Sequence, residues 1–100
     1  MTKCAQEIGV NPLTRELVIC NKRGLHARAS AKFVQTVDKY DAAVEVEKDG
    51  QKVGGTSIMG LMMLAASTGS SVTVRASGFQ AVDVLDALEE LINNKFGEES

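Results

Sequence analysis

Asn21-Lys22-Arg23-Gly24-Leu25-His26-Ala27-Arg28-Ala29-Ser30-Ala31 is the stretch from which the rest of the chain is read. It opens polar and reaches a glycine, which permits a tight bend. It closes rich in alanine, which favours a helix. The chain therefore passes here from a strand into a helix. A helix start carries unpaired backbone N–H groups and the positive end of the peptide dipoles. Those features favour a phosphate or another anion. The one histidine of the chain, His26, stands at that start. Arg28, two residues on, adds a permanent cation with a planar fork of donors. An imidazole nucleophile, a cluster of amides and a guanidinium can together accept, hold and release a phosphoryl group.

On the N-terminal side, residues 13–21 fit a strand, with Leu17 and Ile19 facing one way and Glu16, Val18 and Cys20 the other. On the C-terminal side a helix is predicted over 27–38. Ala27, Ala31, Val34 and Val37 share a face with Phe33 beside them, and Lys32, Gln35 and Asp38 lie toward solvent. Residues 43–48 alternate, with Val44 and Val46 inward. Asp49-Gly50 is a type I′ hairpin signal, and 51–54 is the returning strand. Gly55-Thr56-Ser57 breaks that strand, and Ser57 can cap a second helix over 57–66 with Gly69 as its stop. Residues 71–76 alternate again. The clearest helical repeat is Ala81, Val84, Leu85, Leu88, Leu91 and Ile92, over 80–94.

The order strand, helix, strand, strand, helix, strand, helix predicts an α+β fold. The expectation is a two-layer open-faced sandwich: a four-stranded antiparallel sheet with two long helices and one short helix on one face. Residues 1–12 show no period and read as a flexible extension before a domain over 13–96. Residues 97–100 are expected to fray.

Composition narrows the function. One hundred residues make one domain, 44% hydrophobic and 24% charged. A formal charge of -2 leaves no basic footprint for nucleic acid. No apolar run approaches the ~20 residues of a membrane span. The first residues lack an apolar signal-peptide core, so a cytoplasmic location is expected. Cys4 and Cys20, with one histidine and no Cys-x-x-Cys, make no recognisable metal or redox site.

Each feature also has a plain reading. A lone histidine can cap a helix or lie idle at the surface. Ser57 can be a helix cap and nothing more, worth ~1 kcal/mol. Ile58, Met59, Leu61, Met62, Met63 and Leu64 are too many apolar side chains for one buried face of a short helix. Leu61 with Leu64 or Ala65 can serve the core, which leaves the others unplaced.

Gly24-Leu25-His26-Ala27-Arg28, followed some thirty residues later by Ser57-Ile58-Met59-Gly60, resembles the histidine-containing phosphocarrier family of the bacterial phosphotransferase system. The resemblance runs from Leu13 to Lys95 and includes the order of elements. The wording of residues 21–31 is most similar to the nitrogen-related (NPr-like) branch of alphaproteobacteria. The resemblance implies that His26 carries phosphate on Nδ1 and that Arg28 steadies the phosphoryl group. It implies a second, regulatory phosphorylation at Ser57 by a dedicated HPr kinase/phosphorylase. It also implies that Ile58, Met59 and Met62 form an exposed apolar patch beside the histidine, where flexible methionines fit several partners. The exposed side of the first helix lies beside that patch, and Ala27 joins the docking surface.

The implied partners are a nitrogen-type Enzyme I as donor and a nitrogen-type EIIA protein as acceptor. The protein would then be a monomeric co-substrate of a relay with no metal or cofactor of its own, not an enzyme. A regulatory module that docks through phospho-Ser57 is the alternative. The chain departs from the family in one place: the proline that usually follows the arginine is Ala29. Alanine keeps the helix but leaves its entry less rigid.

Overall fold

The structure, a computed structural model, describes residues 12–98. Most of the expected N-terminal extension, with Cys4, lies outside the described residues. The elements are β1 (Leu13–Val18), α1 (Ala27–Asp38), β2 (Ala43–Lys48), β3 (Gln51–Gly54), α2 (Ile58–Met63), β4 (Ser71–Ser77) and α3 (Ala81–Asn93). A single turn, Lys95–Gly97, follows.

The sheet order is β1-β4-β2-β3, and every neighbouring pair is antiparallel. β4 thus inserts between β1 and β2. Asp49 and Gly50 both have positive φ, 53° and 83°, as a type I′ turn requires between β2 and β3. Alternation assigns the faces. Leu17, Val44, Val46, Val72, Val74 and Ala76 are buried under the helices. On the far side Arg75 of β4 forms ion pairs with Glu45 and Glu47 of β2. One apolar face and one wet face make the open-faced α+β sandwich that the pattern of elements implies.

α3 buries Ala81, Val84, Leu85, Leu88 and Ile92 against β1 and β4. Arg15 on the helix side of β1 ties the two together, donating to Asp86 at 2.8 Å and Glu89 at 2.9 Å. Phe33 of α1 is fully buried, and removing its side chain from water contributes about 1.5–3 kcal/mol.

Several elements differ from the sequence expectation. β1 ends at Val18, so Cys20 no longer follows the alternation; its Sγ turns to α3 and donates to the Ile92 carbonyl at 3.0 Å. The buried face of α1 is Ala29, Ser30, Phe33 and Val37. Ala27 is exposed, and Ala31 and Val34 are half-buried. The aromatic ring sets that rotation, because it has the largest area to hide. α2 is shorter than expected, since Ala65 adopts a φ of 54° and leaves the helical region. Gly69 lies in the following connection and is not the helix stop.

The last turn is the largest surprise. Lys95, Phe96 and Gly97 have φ of 56°, 55° and 77°. Two successive non-glycine residues in the left-handed region cost on the order of 1–3 kcal/mol each. Burial of the Phe96 ring, which is fully enclosed, offsets that strain. Lys32 of α1, expected toward solvent, donates its Nζ to the Phe96 carbonyl at 2.5 Å. The chain is thereby turned back over the start of α1.

Candidate functional site

Gly24 is where the loop before α1 is decided. Its φ is +67°, and a Cβ there would stand 2.3 Å from the Ala66 carbonyl oxygen. Only glycine lets the two backbones pass. The loop is then fastened from three sides. Gly24 N–H donates to the Asn21 carbonyl at 3.2 Å, and Asn21 Nδ2 donates back to the Gly24 carbonyl at 2.9 Å. Leu25 N–H donates to the Ala66 carbonyl at 2.9 Å, just beyond α2. Thr68 Oγ1 donates to the carbonyls of Asn21 and Lys22. Burial of Leu25 adds an apolar anchor.

That loop delivers His26 as the N-cap of α1, with extended backbone at φ -80° and ψ -174°. The Arg28 backbone N–H donates to Nδ1 at 3.3 Å. The His26 carbonyl accepts the first helical bond, from Ser30 N–H at 2.9 Å. Ser30 is fully buried, and its hydroxyl donates to the Leu25 carbonyl at 3.3 Å, which braces the same corner.

The other ring nitrogen has a partner that the sequence did not announce. Nε2 lies 2.5 Å from Oε2 of Glu98. A carboxylate only accepts, so Nε2 donates and carries the ring proton. Nδ1 is left with its lone pair, in agreement with the amide that donates to it. Asn21 Nδ2 donates to the other Glu98 oxygen at 3.0 Å. The hydrogen bond from Asn21 first, then the contact with His26 and the charge of Arg23, hold the Glu98 carboxyl below the usual carboxylate range. Partial burial opposes them. The His26 side chain remains 23% exposed.

Arg28 shares the corner through its backbone. Its guanidinium is exposed, with no hydrogen bond or ion pair to another described residue. Ser57 is the N-cap of α2, where its Oγ accepts from Gly60 N–H at 3.0 Å. α2 packs on α1. Its outer side exposes Ile58, Met59, Met62 and Met63, with Met59 at 69%, while Leu61 and Leu64 go to the core. Ala27 is exposed at the first turn of α1.

Asn21, Ser30 and Glu98 escaped the sequence reading. Asn21 was visible only as part of a polar loop. Ser30 carries no signal beyond its place in the first predicted helix, and Glu98 lies past the end of any periodic pattern. Among the described residues no three histidine, cysteine or carboxylate side chains gather where a metal could sit. No helix there is long and apolar enough to cross a membrane.

Residues 13–94 match the family model described as "PTS HPr component phosphorylation site". The chain is 48% identical over 86 residues to the phosphocarrier protein HPr of Cupriavidus necator, covering 86% of this chain and 97% of that one. It is 38% identical over 88 residues to the phosphocarrier protein NPr of Shewanella violacea, covering 88% and 97%. A crystal structure of HPr from Thermoanaerobacter tengcongensis superposes with a TM-score of 0.84 at 45% identity, covering 88% of this chain and 99% of that one. The chain belongs to the HPr family, the phosphocarriers of the phosphotransferase system.

Proposed function

We propose that His26 is the residue that carries the phosphoryl group, on Nδ1, and that Arg28 steadies it in transit. The observation that supports this most is the seating of the ring at the N-cap of α1, with Nδ1 turned to the Arg28 amide at 3.3 Å and the ring still open to solvent. A phosphoryl group on Nδ1 brings roughly -1.5 to -2 charges to that spot. Helix amides and the exposed Arg28 guanidinium are the groups suited to meet them.

The donor in this reading is a nitrogen-type Enzyme I, and the acceptor a histidine on a nitrogen-type EIIA protein. Both must reach the same imidazole, so both dock on one surface: Ala27, Ile58, Met59 and Met62, with Met63 extending it. The two encounters are therefore sequential. The protein acts as a monomer in the cytoplasm and turns over nothing by itself.

Ser57 is the regulatory site of this reading. Its phosphorylation replaces one oxygen acceptor with several at a helix start, where added charge is tolerated, and places that charge in the docking surface.

The test is incubation with phosphoenolpyruvate and Enzyme I, followed by mapping of the acid-labile phosphate. Label on His26, absent in His26→Ala, is the expected result; label elsewhere overturns the reading. Offering the loaded protein to nitrogen-type and sugar-type EIIA acceptors decides the branch. Faster transfer to the sugar-type acceptor would refute the nitrogen assignment. Sedimentation at rising concentration checks the monomer.

A further inference from the structure

We propose that Glu98 is a positioning residue for phosphoryl transfer, which keeps the proton of His26 on Nε2 and so presents the Nδ1 lone pair to the incoming phosphorus. The inference rests on His26 being the acceptor. Three independent features of the fold hold Glu98 in place. Phe96 is fully buried two residues before it, in a left-handed turn that reverses the chain. Lys32 Nζ clamps the Phe96 carbonyl at 2.5 Å. Asn21 Nδ2 occupies Glu98 Oε1 at 3.0 Å, so that Oε2 is the oxygen that meets Nε2 at 2.5 Å. Asn21 also ties Gly24, so one amide sets both the loop that carries His26 and the carboxylate that orients it. The family match ends at residue 94, before this segment.

The chemistry follows from the two ring nitrogens. Imidazole needs a lone pair on the attacking nitrogen and a proton on the other. With Nε2–H donated to Glu98, the Nδ1 lone pair forms the new P–N bond. The bond between phosphorus and the donor's leaving atom, an imidazole nitrogen in a phosphohistidine donor, breaks, and its electron pair stays with the donor. Nε2 keeps its proton throughout. The product ring is an N-phosphoryl imidazolium, and Glu98 is its counter-ion on the side away from the phosphoryl group. The arrangement is like that in which a carboxylate orients and stabilises a catalytic histidine, with Glu98 here only partly buried. Among the described residues, the charged groups facing Glu98 are His26 and Arg23, and Lys32 lies against Gly97 beside it.

Two measurements on the full chain test this. In the proton spectrum, the His26 Nε2–H, assigned through its nitrogen-15 partner, is expected far downfield in the unmodified protein. Glu98→Ala loses that signal and Glu98→Asp restores it in part. Acceptance of phosphoryl from Enzyme I slows roughly ten-fold or more in Glu98→Ala, by analogy with the loss when a partner that orients a metal-bound histidine is removed. Glu98→Gln, which retains the shape without the charge, falls between. An unchanged signal, or a lost signal with an unchanged rate, overturns the inference while His26 labelling stands. Unmodified protein labelled at a residue other than His26 overturns the acceptor reading and this inference with it.

Discussion

A Cβ on Gly24 would stand 2.3 Å from the carbonyl oxygen of Ala66, and the same Ala66 carbonyl accepts the Leu25 N–H at 2.9 Å. The loop that presents His26 and the segment that ends α2 are thus fitted to each other at one backbone contact. Gly24→Ala meets both a left-handed φ and an overlap with main chain that no rotamer relieves. We expect it to destabilise the fold by at least ~2 kcal/mol. Urea unfolding measures the loss. Phosphoryl acceptance should fall further than the unfolded fraction explains, because the loop that must shift carries the ring.

Asn21 is fully buried and its Nδ2 serves two acceptors, the Gly24 carbonyl and Glu98. Asn21→Ala leaves that carbonyl without its side-chain donor and releases the carboxylate. A cost of about 1–3 kcal/mol is expected. Glu98→Ala in the same background should then cost less than it does alone, because the two groups act on one another. Additive losses in a double-mutant cycle would show that Asn21 does not hold Glu98.

The pH response of the Glu98 contact has a definite sign. Its carboxyl titrates below the ordinary value of 4.5 in the folded chain, chiefly through the Asn21 hydrogen bond. Between the two values the unfolded chain binds the proton more readily than the folded one. The contribution of Glu98 to stability is therefore present above 4.5 and lost as pH falls through the lower, folded value. The stability difference between the unmodified protein and Glu98→Gln should shrink as the pH is taken below 4.5. A difference that grows on acidification would contradict the assigned contacts.

Ser57→Ala removes the oxygen that accepts from Gly60 N–H and is expected to cost ~1 kcal/mol in thermal or urea unfolding. Phosphoryl acceptance at His26 should stay close to that of the unmodified chain once both are folded, because Ser57 has no part in the ring's contacts. A collapse of acceptance would give Ser57 a role in the transfer itself.

Met59 is 69% exposed, so Met59→Lys should leave stability within ~0.5 kcal/mol. If the apolar side of α2 is the docking surface, the same change raises the KM for Enzyme I and leaves the limiting rate nearly intact. An unaltered KM would move the docking surface elsewhere. Phe79, exposed at 84% just before α3 and not part of α2, makes a useful control: Phe79→Lys should leave the KM unchanged.

Local patterns carried most of the fold. The bounds of α1, β2 and β3 coincide with the periodic stretches, and Asp49-Gly50 forms the turn its residue types demand. These elements were legible because their neighbours in sequence are also the neighbours that shape them. His26 at a helix start, Arg28 two residues on and Ser57 at a second start were legible for the same reason. Cys20 departs from the expected alternation because alternation holds only while the strand lasts, and β1 stops at Val18. The buried face of α1 differs from the one its spacing predicts because Phe33 sets the rotation.

What the chain alone determined was the order of elements, the two faces of the sheet and a histidine at a helix N-terminus; each depends on residues a few positions apart. Only the tertiary structure brought a carboxylate to Nε2 of that histidine. The deciding group, Glu98, is 72 positions away, and it arrives through the buried ring of Phe96, the reach of Lys32 and a bond from Asn21. None of those contacts leaves a periodic trace, because each joins chain segments that meet only once the core has closed.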